Sequence, residues 1–518
     1  MIDQQHLSQR VVFGCIVLVA ILAMVPGFVQ GHVFGHSSAL NVSWAEGFAA
    51  ELAKGNIYPR WLPEMSNGAG SAVFYFYGPA TFYIASPFVI LSGSAKLGLI
   101  AASIVMLAAS GLAAYGLCRR YAGQRAALVA ATIYMLLPYH FGVDIWLRSA
   151  FAEQGSFVFM PLAALCVLRL KEDWRFGLGV AVSYAGLIFC HLPTALLFSP
   201  ALGILILAES FNEKSWRVFL LSAVAVLTGL SMSAIYLLPA LALQGMVQAQ
   251  FWQPDAVSDH LFFSAQNFED FSFFVAPLGV ASALLVGCCC GGWFATGRRK
   301  VLLPWLVITI IAMFMMSGLS KSIWEISGPF ARVQFPWRLL AVTDLALTVL
   351  IAGLLGSKVS RNALLIVPAV VAILLSVAAS IVAQHILQAP NSHNLLVETQ
   401  DIGLKADASE YLPSCYQLPE NFIEPMTVKL SLARQAAATG VFYYPFLGAK
   451  QNGKSVPLEC DGSTGLAKPV VGAEQGVLEY RVKPLPVEIV GRWISFAGLM
   501  LFAVTGVLAL RRAGRNYF

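Results

Sequence analysis

A short polar segment between two long apolar runs carries the side chains best suited to chemistry. Residues 138–153 contain His140, Asp144, Arg148 and Glu153. Ionisable side chains at a membrane boundary are costly unless they are paired, hydrated or used. If the segment is helical, Asp144 and Arg148 are four residues apart and can pair directly, and His140 lies four residues further back.

Two interpretations of this segment are open. In the functional one, the planar guanidinium of Arg148 binds a phosphate group, His140 contributes to binding, and Asp144 or Glu153 binds a divalent cation or acts as a general base. In the structural one, Asp144 and Arg148 form an ion pair that closes a loop. Residue types alone do not decide between them.

A second pair of basic residues, Arg332 and Arg338, lies among aromatic residues in segment 330–338. Arginines beside aromatic rings at the outer edge of a bilayer suit a lipid phosphate headgroup. The alternative is that both side chains extend to the phosphates of the surrounding lipids.

Polar residues of the first loop and of a later turn are further candidates. Glu46 could act as a base or ligand, and Arg60 could bind substrate. His191 lies between two apolar runs and could also bind substrate. The simpler alternatives are that Glu46 and Arg60 face water on an interfacial helix, and that His191 is a hydrogen-bonded core residue.

The elements that position these residues are membrane helices. The 518-residue chain is 58% hydrophobic and 12% charged, with a mean hydropathy of +0.72. Apolar stretches of about 18 residues or more recur along it, which predicts an all-α polytopic membrane protein. The net charge of +6 is explained by Lys and Arg in cytoplasmic loops, and no basic, aromatic-rich stripe indicates nucleic-acid binding.

The side of each loop follows from the Lys and Arg clusters. Positively charged loops prefer the cytoplasm, and this rule is satisfied along the chain if segment 71–92 is re-entrant or interfacial and does not cross. The rule then predicts about twelve crossings with both termini cytoplasmic, in the inner membrane of a bacterium. The first apolar run, 11–30, could be a signal peptide, but it is long and lacks a small-residue cleavage site, so we interpret it as an uncleaved helix.

Three domains are expected. Residues 1–386 form the transmembrane domain, with a first outer loop at 31–94. Residues 387–488 form a small outward-facing, β-containing domain with a strand near 476–482, and 489–518 form the final helix and a cytoplasmic tail. Cys415 and Cys460 lie in the outward-facing domain and could form a disulfide. In the first outer loop, an apolar residue at every fourth position from 40 to 52 predicts a helix that lies on the membrane.

Several segments together resemble a known family. They occur in this order: Tyr58-Pro59-Arg60-Trp61, Phe74-Tyr75-Phe76-Tyr77-Gly78-Pro79, Pro138-Tyr139-His140, Arg148 with Glu153, His191, Tyr236-Leu237-Leu238-Pro239 and Gln334-Phe335-Pro336-Trp337-Arg338. With an amphipathic helix after the first span, they resemble the GT-C membrane glycosyltransferases, and more closely the bacterial membrane proteins called 6-pyruvoyl-tetrahydropterin synthase-related.

The resemblance implies a GT-C-like fold and transfer of a sugar from a polyprenyl-phosphate carrier to an acceptor on the outer face. Such enzymes use one acidic residue early in the first outer loop, usually as the base, and a second in the next outer loop. The second corresponds to Asp144, but Ser37 stands at the first position and Asn41 at that of a following His. A serine cannot take up a proton without its own base. A non-catalytic binder or translocator of lipid-linked glycans is therefore the alternative. A secondary transporter has less support, because no broken spans repeat between the halves.

Overall fold

The computed structural model describes residues 7–30, 35–249, 260–262, 299–326, 328–331, 333–356, 407–417, 440–470 and 478–515, which are mostly helical. The α-helices are α1 (Gln9–Gln30), α2 (Ser38–Ala53), α3 (Ala80–Ser92), α4 (Ala95–Cys118), α5 (Gln124–Leu136), α6 (Phe151–Arg169), α7 (Phe176–Cys190), α8 (Leu192–Asn212), α9 (Trp216–Met232), α10 (Ala234–Ala242), α11 (Arg299–Met316), α12 (Lys321–Ile326), α13 (Gly328–Ala331), α14 (Leu340–Leu355) and α15 (Pro486–Arg515).

Within these ranges, seven helical segments are long and apolar enough to cross a membrane, and the bent pair α9–α10 makes up to eight. The predicted total of about twelve stays a prediction, because apolar runs at 270–297 and 362–386 lie outside the described residues. Helix α3 has 13 residues, about 20 Å at 1.5 Å per residue. That is shorter than the hydrocarbon core of about 30 Å, as a segment that does not cross should be.

Helix α14 lies at the centre of the bundle. Every residue from Leu340 to Gly353 is buried, and a helix that is apolar on all sides is expected in such a position. It packs against α5 and α11 and is preceded by the 3₁₀ turn Pro336–Leu339, which carries Arg338. The most buried helix therefore holds one of the predicted site residues in place.

Helix α2 differs from the sequence expectation. Its apolar stripe was expected to face the membrane, but Trp44 and Phe48 are buried against the aromatic segment that follows. The ring centroids of Phe48 and Phe74 are 4.6 Å apart, and those of Trp44 and Tyr77 are 4.9 Å apart. Aromatic pairs of this kind bury large apolar areas, so the stripe faces protein.

The aromatic segment approaches the end of α7 very closely at Gly78. A Cβ atom on this glycine would lie 1.8 Å from the carbonyl oxygen of Cys190. Any larger residue would force the two backbones apart, so glycine is required by the approach itself.

The described part of segment 387–488 is a small antiparallel β structure; its orientation to the outer face stays a prediction. The strands are β1 (Leu447–Gln451), β2 (Lys454–Val456), β3 (Leu458–Cys460), β4 (Ala467–Pro469) and β5 (Leu478–Val482). One sheet has the order β2-β1-β5, with Ala449 opposite both Val456 and Tyr480, and the other pairs β3 with β4. The strand predicted near 476–482 is confirmed as β5. A disulfide joins Cys415 to Cys460 at the end of β3.

Candidate functional site

The polar segment of the sequence folds as a π-helix, Pro138–Leu147. Leu137, which precedes the proline, is extended and ends α5. In a π-helix the hydrogen bonds run from residue i to i+5, and such turns are frequent at functional sites. The Tyr139 hydroxyl reaches Arg148 and Glu153, whereas the His140 ring packs on Phe157.

Arg148 directly follows the π-helix, and its side chain is held through one guanidinium nitrogen, Nη1. Its Nη1 donates to Glu153 Oε2 at 2.7 Å and to Asp144 Oδ1 at 3.3 Å. The same nitrogen lies 3.2 Å from the Tyr139 hydroxyl oxygen. The guanidinium also lies over the ring of Trp337, with 4.8 Å between its carbon and the ring centroid. These contacts fix the plane of the guanidinium.

Glu153, in the first turn of α6, is fully buried and uses both carboxylate oxygens. The Tyr139 hydroxyl donates to Oε1 at 2.8 Å, and Oε2 accepts from Arg148 and lies 3.9 Å from Nε of Arg338. Asp144 is also fully buried, and its Oδ2 has no hydrogen-bond partner among the described residues. Two carboxylates thus face two guanidiniums, as buried charges require.

Arg338 is positioned by the turn that precedes α14. Its Nη1 donates to the carbonyl oxygen of Val333 at 2.7 Å, and its Nη2 lies 3.4 Å from Gln334 Oε1. Gln334 itself has a φ of +67°, a left-handed conformation that is unfavourable for a residue other than glycine and that occurs often at functional sites. The other predicted arginine, Arg332, lies outside the described residues.

These residues border a cavity of about 1250 Å³. Arg148, Glu153, His191 and Arg338 line one part of it, and Nδ1 of His191 is hydrogen-bonded to Thr194 Oγ1 at 2.8 Å. Helices α7 to α10 supply a largely apolar wall. This wall includes Tyr184, Ile188, Leu196, Leu230 and Leu237.

The start of the first outer loop docks beside Arg148. The backbone N–H of His36 donates to Leu147 O at 3.0 Å, and that of Ser37 donates to Arg148 O at 2.9 Å. Asn41 Nδ2 donates to Ser149 O at 2.6 Å. His36 and Ser37 both line the cavity. The position at which the resemblance implies an acidic residue is therefore at the site, but it carries a serine.

Three predicted residues lie elsewhere. His140 stacks on Phe157 with 3.7 Å between ring centroids, and its Nδ1 is hydrogen-bonded to Tyr134 O at 2.9 Å. Glu46 is on the exposed side of α2, away from the cavity lining. Arg60 is buried outside the cavity and is ion-paired with Glu488 in α15.

Sequence reasoning missed Tyr139 and Glu410. The Tyr139 hydroxyl binds the Glu153 carboxylate, and no helical spacing within the segment predicts that contact. Glu410 lines the cavity from the segment 407–417, about 260 residues beyond Arg148, and no local pattern marks it. Among the described residues, no three His, Cys, Asp or Glu side chains gather where they could hold a metal ion.

Two solved transferase structures are similar to this chain at low identity. The arabinofuranosyltransferase AftD from Mycobacteria is similar with a TM-score of 0.49 and 15% identity, over 74% of this chain and 27% of that one. The oligosaccharyltransferase of Archaeoglobus fulgidus, with Zn and sulfate, has a TM-score of 0.40 and 14% identity, over 72% of this chain and 53% of that one. This chain thus spans about a quarter and about half of their lengths.

No curated protein matches the sequence significantly. A family model does match it. The family is described as "6-pyruvoyl-tetrahydropterin synthase related domain; membrane protein", and the match covers residues 74–389, more than half of the chain. The protein therefore belongs to the 6-pyruvoyl-tetrahydropterin synthase-related family of membrane proteins.

Proposed function

We propose that this protein is a membrane glycosyltransferase that moves a sugar from a polyprenyl-phosphate carrier to an acceptor on the outer face of a bacterial inner membrane. The observation that carries the proposal is one continuous cavity that joins a pair of arginines to an apolar wall between membrane helices. The assignment of the cavity to the outer face rests on the distribution of Lys and Arg.

Arg148 is suited to bind the phosphate. Only its Nη1 has protein acceptors among the described residues, and its side chain is 17% exposed, towards the cavity. Nε and Nη2 remain for a ligand, and an arginine can donate two parallel hydrogen bonds to a phosphate. Because Glu153 and Trp337 already hold the guanidinium, little conformational entropy is lost when the phosphate binds.

Arg338 supplies a second positive charge beside the same cavity. When the bond between the anomeric carbon and the phosphate oxygen breaks, negative charge develops on the departing phosphate. Donors that are already fixed in place stabilise such charge without reorganisation. Asp144 and Glu153 are both ion-paired with Arg148. Their role in the reaction is therefore to position Arg148, and neither serves as the general base.

The apolar wall suits the carrier lipid. A cavity of about 1250 Å³ exceeds the usual range for small-molecule sites, about 300–1000 Å³. Ile188, Leu196, Leu230 and Leu237 line it from four helices, and an isoprenoid chain buries apolar area against such side chains. A soluble sugar nucleotide would not use this wall.

A second function, binding or translocation of a lipid-linked glycan without catalysis, is favoured by one observation. None of the three acidic residues expected as base is available in the cavity. Glu153 is neutralised by Arg148, Asp144 is absent from the cavity lining and Glu46 lies outside it. A binder would need the arginines and the apolar wall alone.

The test uses purified protein in nanodiscs, with a panel of polyprenyl-phosphate sugars and methyl glycosides as acceptors. Mass spectrometry follows loss of sugar from the carrier, and thermal unfolding reports donor binding. We expect turnover that Arg148→Ala abolishes, whereas the surface variant Arg481→Ala retains it. Donor-induced stabilisation that depends on Arg148 but comes without turnover would favour the binder. If the protein shows no turnover and no donor-induced stabilisation, both functions are contradicted.

A further inference from the structure

One wall of the cavity is formed by a short segment of the outer domain. Residues 407–411 reach the cavity, and Ala408, Glu410 and Tyr411 line it. Ala408 and Tyr411 are buried, whereas Glu410, between them, is half-buried. A carboxylate from a distant part of the chain thus lies on the boundary of the same space as Arg148.

Several contacts hold this segment in place. Trp44 Nε1 donates to Asp407 Oδ1 at 3.0 Å, and the hydroxyl of Tyr444 donates to the carbonyl oxygen of Tyr411. The disulfide of Cys415 ties the chain that follows to β3. Gln248 Nε2 also donates to the carbonyl oxygens of residues 413 and 416, both at 2.9 Å. Four groups (Trp44, Tyr444, Cys460 and Gln248) therefore hold the backbone that carries Glu410.

Aromatic rings line the same wall as Glu410 and pack around its neighbour Tyr411. Trp44, Phe76, Tyr77 and Tyr411 all line the cavity. The Tyr411 ring is 5.9 Å from that of Trp44 and stacks at 12° on Phe76, with 6.3 Å between centroids. Aromatic faces beside a polar group suit a saccharide, because a sugar ring has an apolar C–H face and hydroxyl groups at its edge.

Helix α2 contacts both this wall and the loop that carries Arg148. Its N-cap, Ser37, is hydrogen-bonded through its backbone to Arg148, whereas Trp44 is bonded to Asp407. Seven residues of helix separate Ser37 from Trp44, about 10 Å at 1.5 Å per residue. The helix thus connects the loop beside Arg148 to the wall that carries Glu410, and both border the same cavity.

The other groups on the cavity boundary are less suited to accept a proton on the acceptor side. The Ser37 hydroxyl lies 3.4 Å from Nδ1 of His36, and this pair belongs to the loop beside Arg148. Burial raises the pKa of Tyr77 to about 12, so that its hydroxyl stays protonated at neutral pH. His36 lies against the loop of Arg148, and His191 lies among the residues of the phosphate side.

We propose that the acceptor is a saccharide bound on the aromatic wall and that Glu410 is the general base that accepts the proton of its attacking hydroxyl. The inference rests on the proposed glycosyl transfer. It supplies, from the outer domain, the base that the first outer loop lacks at Ser37.

The step balances as a single displacement. The acceptor oxygen forms a bond to the anomeric carbon, and the bond from that carbon to the phosphate oxygen breaks. The electron pair leaves with the polyprenyl phosphate, which Arg148 and Arg338 bind. The hydroxyl proton passes to the Glu410 carboxylate, and the configuration at the anomeric carbon inverts because attack and departure occur on opposite faces.

The experiment compares full-length wild-type protein with Glu410→Gln, Glu410→Asp and His36→Gln in nanodiscs. The control is Glu459→Gln, which removes a surface carboxylate of the same domain. With a polyprenyl-phosphate sugar that the wild type uses and the methyl glycoside it prefers, we measure kcat, both KM values and the pH profile. Donor-induced thermal stabilisation is measured separately.

We expect Glu410→Gln to lower kcat by about 10²–10⁴-fold, to abolish the fall in rate at acidic pH and to leave donor stabilisation unchanged. Glu410→Asp should retain part of the rate, and Glu459→Gln should stay within about twofold of the wild type. Three outcomes would overturn the role of Glu410 and leave glycosyl transfer standing. Glu410→Gln could keep kcat within about threefold of the wild type, or it could change the acceptor KM alone. The third is a loss of kcat in His36→Gln that exceeds the loss in Glu410→Gln. Wild-type protein without turnover would overturn both.

Discussion

Arg60 and Glu488 form a buried ion pair between the first outer loop and the first turn of the last helix, 428 residues apart in the chain. Arg60 Nη2 also donates to the carbonyl oxygen of Ile235 at 2.5 Å, and the Glu488 carboxylate accepts from the backbone N–H of Leu485 at 2.7 Å. The pair joins the loop to α10 and α15, just after strand β5. Its role is therefore to hold the walls of the cavity together.

Removing one member of this pair should destabilise the protein. Arg60→Met leaves the Glu488 carboxylate buried without its partner, and such changes cost about 3–5 kcal/mol. Thermal unfolding in detergent should show a lower Tm for Arg60→Met, and the double variant Arg60→Met/Glu488→Leu should recover much of the loss. Lys468→Met, which breaks an exposed pair with Glu459, should change little. An unchanged Tm in Arg60→Met would contradict this role.

Arg148 should not tolerate a lysine. Lysine keeps the charge but lacks the planar fork that stacks on Trp337 and donates two parallel hydrogen bonds. We expect Arg148→Lys to weaken binding of a polyprenyl-phosphate sugar by at least about tenfold, a loss of about 1.4 kcal/mol. Titration with the lipid in nanodiscs measures it, and Arg481→Lys on the surface is the matched control. Equal affinity in the two variants would show that charge alone is recognised.

Gly78→Ala should disrupt the junction between the aromatic segment and α7. The new Cβ would overlap the carbonyl oxygen of Cys190, and the backbone shift needed to relieve it costs about 1–3 kcal/mol or more. Gly203→Ala is the control, because nothing lies within 4 Å of a Cβ at that position in α8. We expect a lower Tm and lower donor affinity only for Gly78→Ala. Equal Tm values for both variants would mean that the segment is free to move.

The Cys415–Cys460 disulfide should stabilise the segment that carries Glu410. It closes a loop of 45 residues, and disulfides of this kind contribute about 2–4 kcal/mol. Cys415→Ser, Cys460→Ser and the double variant should lower the Tm equally, and a reductant should lower it in the wild type alone. If the acceptor binds beside Glu410 as proposed, the variants that lack the disulfide should have a higher KM for the acceptor and an unchanged donor affinity. Different Tm values for the two single variants would indicate that one free thiol, not the lost bond, causes the effect.

Local patterns in the sequence were sufficient for the class of protein. Hydropathy predicts membrane helices because each span must be apolar over its own length, and the strand near residue 480 follows from alternation within a few residues. The pairing of Asp144 with Arg148 could be predicted for the same reason, since both lie within one helical turn. Features that depend only on residues close together in the sequence could therefore be predicted without the structure.

Tertiary packing determines which residues form the site. The Tyr139 hydroxyl binds Glu153 whereas His140 stacks on Phe157, and the docking of α2 on the aromatic segment turns Glu46 away from the cavity. Arg60 is drawn to Glu488, and Glu410 is brought to the cavity from the outer domain. Such contacts join residues hundreds of positions apart, and their free energy depends on the burial and shape of both partners. No pattern of spacing contains that information, so the sequence determines the class and the central ion pair, and the fold determines which charges face the cavity.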